Sequence, residues 1–506
     1  MLAILSVETE EAIEVIEDSN ALYEAFNSKD ARFDGRFFVG VTSTGIYCRP
    51  VCRAKMPREA NCVFFHTAAE AEKAGFRPCL ICRPELAPGL AVTDASSVLA
   101  KQAARYIEEN CGDSNSLTEL AARLGYTDRH LRRVFAEEYH VSPVEYMQTC
   151  RLLLAKNLLT DSGLSVLDVA MASGFGSLRR FNDVFQKQYH LSPTGFRKQV
   201  KAGKHKGDTV TVALGYHAPY AWDRILRFLA LRAIPGVESV SDTQYSRAAR
   251  VRGKDGELLA GWFSVADRPE KNVLSVTMSD SLLPALPQTL GRIRDLFDLH
   301  CDPYAVAERL AAADGRGPGD FVCGLRVPGC FDPFELCVRA ILGQQITVKA
   351  AGTLAGRMAR EFGTPVGSDR AGLAYAFPTA EDINGLTGRI EDRLGPLGIT
   401  AARARAIQRL SRELAAGEIA FDRGGDAGAV FRKLTEIPGI GAWTATYIAM
   451  RAMGDTDAFP ETDLGIRKAL GGKSPKEIRA MSEEWRPWRS YATMALWDSL
   501  HMEEKT

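Results

Sequence analysis

Two stretches of the chain share one pattern of apolar and polar positions, which predicts a repeated helical unit. In the first, apolar side chains line one helical face over residues 117–126, and a second amphipathic run leads to Tyr139-His140-Val141-Ser142-Pro143. In the second, residues 167–175 have the same spacing, and the unit ends in Tyr189-His190-Leu191-Ser192-Pro193. Each time a glycine and an aromatic residue separate the two helices, and Ser-Pro begins a further helix.

The pattern changes further along the chain and predicts units of other classes. Residues 210–214, 261–265 and 272–278 alternate like strands. Residues 221–231 and 290–297 have helical periodicity, so this part is a mixed α/β unit. From residue 326 onward the pattern is mainly helical.

These changes of pattern predict a multidomain protein that is mainly α with α+β parts. Residues 201–207 are basic and contain glycine, as expected of a linker. The expected units are an acidic extension, a small α/β domain that contains a cluster of cysteines, a double helix-turn-helix domain, an α/β domain and an all-α domain. Their predicted boundaries are residues 1–25, 26–90, 93–201, 208–325 and 326–506.

The repeated unit resembles the DNA-binding domain of AraC-type regulators, which contains two helix-turn-helix units. The resemblance implies that the second helix of each unit enters the major groove of double-stranded DNA. A helical packing repeat without a ligand is the alternative. The candidates for DNA contact are Arg129, Arg132, Arg133, Arg179 and Arg180.

The overall composition limits which cellular compartment and which mode of DNA binding are expected. The 506 residues include 63 Lys and Arg against 63 Asp and Glu, so DNA contacts must come from local basic patches. No apolar run is long enough to cross a membrane, and the acidic residues within 1–25 have the wrong sign for a signal peptide. An odd number of cysteines, 11, without a secretory signal predicts a reducing, cytoplasmic environment.

Four of the cysteines form two close pairs, Cys48-x3-Cys52 and Cys79-x2-Cys82, and predict a tetrahedral Zn²⁺ site. A unit this small needs its metal in order to fold. Four thiolates on Zn²⁺ leave a net charge of about −2, so a ligand sulfur stays anionic and nucleophilic at neutral pH. A purely structural zinc site is the alternative.

The sequence around these cysteines carries three distinctive segments. They are Phe33-Asp34-Gly35-Arg36-Phe37-Phe38-Val39-Gly40-Val41, Tyr47-Cys48-Arg49-Pro50-Val51-Cys52-Arg53-Ala54-Lys55 and Gly75-Phe76-Arg77-Pro78-Cys79. Together they resemble the N-terminal domain of Ada proteins. The resemblance implies that the zinc-bound thiolate of Cys48 accepts a methyl group from a DNA methylphosphotriester, which removes one negative charge and strengthens DNA binding. The residues expected to contact phosphates are Arg49, Arg53, Lys55, Arg58, Arg77 and Arg83.

A glycine-rich turn between two helical runs, Ile437-Pro438-Gly439-Ile440-Gly441, predicts a helix-hairpin-helix. Its glycines can adopt positive φ, and the first turn of the second helix can then direct free amides at a DNA phosphate. Asp463 follows in a loop, where a carboxylate can stabilise an oxocarbenium-like sugar as a base departs. Two core helices with a surface aspartate are the alternative.

This arrangement resembles the helix-hairpin-helix DNA glycosylases, and among them the AlkA-type 3-methyladenine glycosylases. The resemblance implies that Asp463 is catalytic and that aromatic faces attract a positively charged alkylated base. Asp457 and Glu461 are competing candidates for the catalytic carboxylate. The expected pocket residues are Trp443, Tyr447 and Trp497, and the expected DNA contacts are Pro438, Gly439, Ile440, Gly441, Gln344, Gln345 and Ile346.

Two details refine this expectation. Gln345 or Ile346 would fill the space left by the flipped base. Bifunctional relatives have a lysine where this chain has Trp443, so we expect a monofunctional enzyme that leaves an abasic site. A monovalent ion bound by the hairpin carbonyls is compatible with the turn.

The resemblances together predict an alkylation-repair glycosylase joined to a methylation-responsive transcription activator. Its partners would be alkylated DNA, promoter DNA and RNA polymerase. The sequence Pro-Cys-His-Arg, expected of the Ada methyltransferase that repairs guanine O6, does not occur. The alternative is a regulator whose rear half binds DNA without catalysis.

Overall fold

The computed structural model describes residues 19–30, 33–87, 98–111, 117–200, 208–253, 256–311, 321–421 and 426–503. The predicted linker at 201–207 and residues 1–18 of the predicted acidic extension lie outside these ranges. Every helix within them is too short or too polar to span a lipid bilayer.

The first unit is a small four-stranded sheet with two helices. Its elements are α1 (Ser19–Asn27), β1 (Phe38–Val41), β2 (Ile46–Cys48), β3 (Cys62–Phe65), α2 (Ala68–Lys73) and β4 (Arg77–Pro78). The strand order is β3-β1-β2-β4, with only the β2–β4 pair parallel. Ala25 and Phe26 of α1 are buried in the same core as Phe37 and Phe64, so the unit extends back to Ser19.

The second unit confirms the predicted helical repeat. Its helices are α3 (Val98–Asn110), α4 (Leu117–Arg123), α5 (Asp128–Tyr139), α6 (Pro143–Asp161), α7 (Val166–Ala172), α8 (Leu178–Tyr189) and α9 (Pro193–Val200). Thr127 and Ser177 accept amide hydrogen bonds as N-caps of α5 and α8. Ser142 forms a capping box at the start of α6, with Pro143 as its first residue, as the Ser-Pro pattern predicts.

The third unit is an antiparallel sheet in the order β5-β9-β8-β7-β6, covered by helices. Its elements are β5 (Thr209–Gly215), α10 (Trp222–Arg232), β6 (Glu238–Val240), β7 (Gln244–Arg252), β8 (Leu258–Arg268), β9 (Val273–Ser279), α11 (Leu286–Leu296) and α12 (Pro303–Ala311). Two of the predicted strands lie within β5 and β8, and the third, 272–278, overlaps β9. The alternation did not predict β7, because Arg247 looks like a solvent-facing residue; in the fold it is buried and paired with Glu335 at 2.5 Å.

The last unit is helical, as predicted, with one short pair of strands in addition. Its elements are α13 (Pro333–Leu342), α14 (Val348–Phe362), β10 (Thr364–Pro365), β11 (Tyr375–Ala376), α15 (Ala380–Asn384), α16 (Ile390–Leu394), α17 (Ala401–Ala415), α18 (Ala427–Thr435), α19 (Ala442–Ile448), α20 (Leu464–Ala469), α21 (Pro475–Ser482) and α22 (Arg489–Glu503). A π-helical turn, Ala449–Met453, extends α19. The hairpin between α18 and α19, the start of α20 and the middle of α22 meet at one site.

Candidate active site and nucleic-acid interface

Asp463 is the N-cap of α20, and three neutral donors fix its carboxylate. Oδ1 accepts the backbone amide of Ile466 at 2.9 Å and the indole Nε1 of Trp497 at 2.9 Å. Oδ2 accepts the indole Nε1 of Trp443 at 3.0 Å. All three donors are uncharged, so they restrict the orientation of the carboxylate without placing a positive charge beside it.

Two of the three predicted pocket aromatics, Trp443 and Trp497, donate to this carboxylate, and Tyr447 stacks on Trp443. Trp443 and Tyr447, one turn apart on α19, stack with ring centroids 5.4 Å apart and an interplanar angle of 6°. Trp497 comes from α22 and lies 6.3 Å from the Tyr447 ring. Gly465 leaves room for this approach, since a Cβ there would lie 3.2 Å from Trp497 Cδ1. The resemblance implied the aromatic faces, but only the fold shows the two indole hydrogen bonds to Asp463.

The competing carboxylates are engaged elsewhere. Asp457 forms ion pairs with Arg486 and with Arg489, the latter at 2.7 Å. Glu461 accepts Nε of Arg479 at 2.6 Å, and that hydrogen bond holds the pKa of Glu461 below its ordinary value. The geometry around Asp463 therefore favours it over both.

Of the two hairpin glycines, only Gly439 has the positive φ expected from the sequence, and Gly441 has φ −90°. Gly439 has φ +97°, and Gly441 is the N-cap of α19 without a side chain to cover the first amides of that helix. Gly441 and Ala442 are exposed, so these amides lie at the surface. The side chain of Ile440 is buried, 4% exposed, so any DNA contact by this residue is limited to its backbone.

Residues 344–346 follow α13 and differ in their surroundings. The Gln344 side chain donates to the carbonyl of Gly439 at 2.7 Å and to the hydroxyl of Thr444 at 3.2 Å. It therefore braces the hairpin. Gln345 is exposed and has φ +56°, a left-handed conformation that is uncommon outside glycine. Ile346 is half-buried.

The four predicted zinc ligands come together at the ends of β2 and β4. The sulfur atoms of Cys48, Cys52, Cys79 and Cys82 all lie within 4.8 Å of one another. Four thiolates bound to zinc at about 2.3 Å in a tetrahedron lie about 3.8 Å apart, so the set fits the metal. The amide of Arg49 donates to Cys82 Sγ at 3.3 Å and that of Ile81 to Cys79 Sγ at 3.4 Å, which favours thiolates.

Two of the predicted phosphate contacts in this unit are wrong. Arg49 is 7% exposed, and its guanidinium donates to Asp34 at 2.8 Å and to the carbonyl of Cys82 at 3.1 Å. Arg83 pairs with Asp161 and Glu85, each at 2.8 Å. Both side chains are paired with carboxylates of the protein. A local sequence does not distinguish such an arginine from one that binds phosphate.

The predicted recognition helices are α5 and α8, and their five candidate arginines are exposed: Arg129, Arg132, Arg133, Arg179 and Arg180. Arg132 pairs with Asp128 at 2.6 Å and Arg133 with Glu137 at 2.7 Å, each one helical turn away. Such exposed pairs contribute little free energy, so they can open in favour of a phosphate.

The fold and these sites define a base-excision type of helix-hairpin-helix protein joined to a zinc-binding helix-turn-helix half. Four family descriptions match the chain: "Metal binding domain of Ada" at residues 21–85, "Helix-turn-helix domain" at 120–199, "AlkA N-terminal domain" at 211–332 and "HhH-GPD superfamily base excision DNA repair protein" at 338–486. The matches follow the four structural units in order.

Known proteins resemble this chain, one of them over almost its whole length. A Mycobacterium tuberculosis protein described as "Probable bifunctional transcriptional activator/DNA repair enzyme AlkA" is 38% identical over 495 residues, covering 96% of this chain and 97% of that protein. "DNA-3-methyladenine glycosylase 2" of Escherichia coli is 35% identical over 284 residues, covering 56% of this chain and 95% of that protein. The 3-methyladenine DNA glycosylase structure from Archaeoglobus fulgidus has a TM-score of 0.45 at 21% identity, covering 57% of this chain and 99% of that one. The chain belongs to the family of bifunctional AlkA proteins that the Mycobacterium relative represents.

Proposed function

We propose that the rear half is a monofunctional DNA glycosylase that hydrolyses the N-glycosidic bond of alkylated bases of the 3-methyladenine type. The observation that carries the proposal is the Asp463 carboxylate, fixed by the indoles of Trp443 and Trp497 at the edge of an aromatic cluster. The name of the Escherichia coli relative, DNA-3-methyladenine glycosylase 2, supports the same substrate class.

The geometry supports a dissociative mechanism. An alkylated purine carries positive charge and is attracted to the faces of Trp443 and Tyr447 by about 0.5–2 kcal/mol. As the C–N bond breaks, its electron pair leaves with the base, and the sugar becomes an oxocarbenium-like cation that the Asp463 carboxylate stabilises. Water then adds to the sugar carbon and loses a proton. The stacked Trp443 occupies the place where a Schiff-base lysine would be needed.

DNA release assays test this proposal. The full chain is incubated with methylated duplex DNA, and free 3-methyladenine is measured beside Asp463→Asn. We expect the variant to lose about 100-fold or more in rate, as removal of one preorganised electrostatic group does elsewhere. Asp457→Asn is the matched control and should retain release. Borohydride should trap no covalent adduct with the wild type. Absence of release from the wild type, with DNA binding retained, would favour the non-catalytic regulator.

For the front half we propose a methyl acceptor joined to a transcription activator. The supporting observations are the four clustered sulfurs and the exposed arginines of α5 and α8. Bound Zn²⁺ keeps the sulfurs as thiolates. Cys48 Sγ forms a bond to the methyl carbon, the methyl–oxygen bond of the phosphotriester breaks, and a phosphodiester anion leaves. Loss of one negative charge at the cysteine then favours DNA binding.

Mass spectrometry tests the acceptor. The zinc-loaded chain is incubated with DNA containing methylphosphotriesters, and the methylated peptide is identified. Methyl on Cys48, and tighter promoter binding afterwards, is the expected result; methyl on Cys82, the more exposed ligand, would reassign the acceptor. Contact with RNA polymerase is part of this proposal. A monovalent ion at the hairpin has less support, because the Gly439 carbonyl already accepts from Gln344.

A further inference from the structure

A buried cluster of arginines and glutamates lies behind the aromatic site, between the sheet unit and the helical unit. Two of the arginines have carboxylate partners. Arg247 pairs with Glu335 at 2.5 Å, and Arg339 pairs with Glu238 at 3.0 Å. The members are Arg232, Arg247, Arg339, Arg451, Glu238 and Glu335.

The other two arginines have no carboxylate within ion-pair distance among the residues that the structure describes. Burial, followed by the charges of Arg451 and Arg339, lowers the pKa of Arg232 to about 10. The cluster therefore holds more positive than negative charge in a desolvated place. The excess positive charge of this cluster favours a neighbouring hydrogen-bond acceptor, and it stabilises the deprotonated form of that group.

Tyr447 is that group. Arg451, 5% exposed, donates Nη1 to the Tyr447 hydroxyl at 2.6 Å. Its Nε and Nη2 donate to the carbonyls of Pro328 at 2.7 Å and Gly329 at 2.8 Å. The guanidinium is thus held by three acceptors, two of them on the backbone ahead of α13. Burial raises the pKa of Tyr447, but the charges of Arg451 and Arg232 outweigh it and lower that pKa below its ordinary value.

We propose that Arg451 is a positioning residue for the glycosylase reaction, which holds the Tyr447 ring parallel to Trp443 and so keeps the base pocket preformed. Without the hydroxyl anchor, the Tyr447 ring is free to tilt away from the 6° stack. Trp443 would then lose the surface that supports its indole, and with it the alignment of Nε1 toward Asp463. This inference rests on the proposed function of the pocket, and it connects the pocket to the sheet unit through Pro328 and Gly329.

A double-mutant cycle tests the proposal. In the full zinc-loaded chain, Arg451→Met and Tyr447→Phe should each lower kcat/KM for 3-methyladenine release by about 10-fold, a loss typical of a misplaced contact. If Arg451 acts through the hydroxyl, the double variant should be no slower than either single variant. Multiplication of the two losses in the double variant would overturn the proposal.

Fluorescence gives a readout that does not depend on catalysis. The emission of Trp443 is taken as the difference between chains with and without Trp443→Phe. It should shift alike in Arg451→Met and Tyr447→Phe, because both free the stacked ring. Unchanged emission in Tyr447→Phe, which removes only an oxygen, would refute the positioning role even if Arg451→Met does not fold. If the two variants show the emission shifts but the wild type releases no base, the glycosylase proposal is refuted while the Arg451–Tyr447 contact stands.

Discussion

Glu72 offers the sharpest test of how the zinc unit is joined to the helix-turn-helix unit. Its side chain, on α2, is 5% exposed and accepts from the hydroxyls of Tyr47 at 3.0 Å and Tyr189 at 3.3 Å. Thr149 of α6 is a weaker donor at 3.4 Å. Tyr47 precedes Cys48, and Tyr189 ends the second recognition helix, so one carboxyl connects both units. Burial raises its pKa from 4.5 to about 8, against opposing hydrogen bonds from Tyr47, Tyr189 and Thr149 and the charge of Lys156.

The direction of the pH effect follows from this raised pKa. Between pH 4.5 and about 8 the folded chain keeps a proton on Glu72 that the unfolded chain has lost. Stability therefore falls as the pH rises through this window. The full difference corresponds to about 5 kcal/mol, of which about 3 kcal/mol falls between pH 6 and pH 9.

Glu72→Gln keeps the shape and removes the ionisation. At pH 6 the variant should match the wild type within about 1 kcal/mol, because both carry a neutral group. At pH 9 the variant should be the more stable by about 3 kcal/mol. The chain has several domains and does not unfold in one step. The measurement is therefore amide hydrogen exchange in α2 and α8, compared between the two proteins at each pH.

The control and the refuting result are specific. Glu59 is exposed in the same unit, so Glu59→Gln should leave the pH dependence of exchange unchanged. At pH 9 we expect about 100-fold slower exchange in Glu72→Gln than in the wild type, as 3 kcal/mol implies. An equal ratio at pH 6 and pH 9 would show that Glu72 is already ionised in the fold.

Three further predictions concern other parts of the chain. Trp497→Phe keeps a ring but loses the 2.9 Å hydrogen bond to Asp463, so kcat/KM for base release should fall about 10- to 100-fold; an unchanged value would contradict the orienting role. Gly439→Ala places a Cβ at φ +97°, so amide hydrogen exchange in α18 and α19 should show a loss of about 1 kcal/mol or more and duplex binding should weaken, with Gly441→Ala as the milder control. Lys156→Met removes one of the two cations paired with Glu85 and leaves Arg83 as the other, so amide hydrogen exchange in α6 should show a loss of about 1–3 kcal/mol, most of which a second change, Glu85→Gln, should restore.

The sequence alone predicted the features that depend on short-range order. The helical repeat, its Ser-Pro helix starts and the two cysteine pairs are local patterns, and each one determines backbone geometry or ligand spacing within a few residues. The glycines of the hairpin belong to the same group, because a positive φ at Gly439 is a property of one residue. Changes in periodicity, together with the cysteine pairs, indicated the order of the units along the chain.

Only the tertiary structure decided which charged residues face solvent and which face each other. Arg49 and Arg83 are of a residue type that commonly contacts phosphates. In the fold they pair with Asp34 and Asp161, whose positions depend on how separate segments pack. Arg247 lies in a strand that the alternation did not predict, because its partner Glu335 is far along the chain. A local pattern predicts that such arginines face solvent, whereas in the fold they form ion pairs with carboxylates from other segments.

The same reason explains the candidate active site. The aromatic residues and Asp463 could be named from the sequence, since their types and order are characteristic. Their arrangement could not, because the indole donors to the carboxylate come from α19 and α22, and Tyr447 is anchored by Arg451 against the backbone ahead of α13. Residue types are encoded locally, whereas the orientation of one carboxylate and one ring depends on several helices packing together.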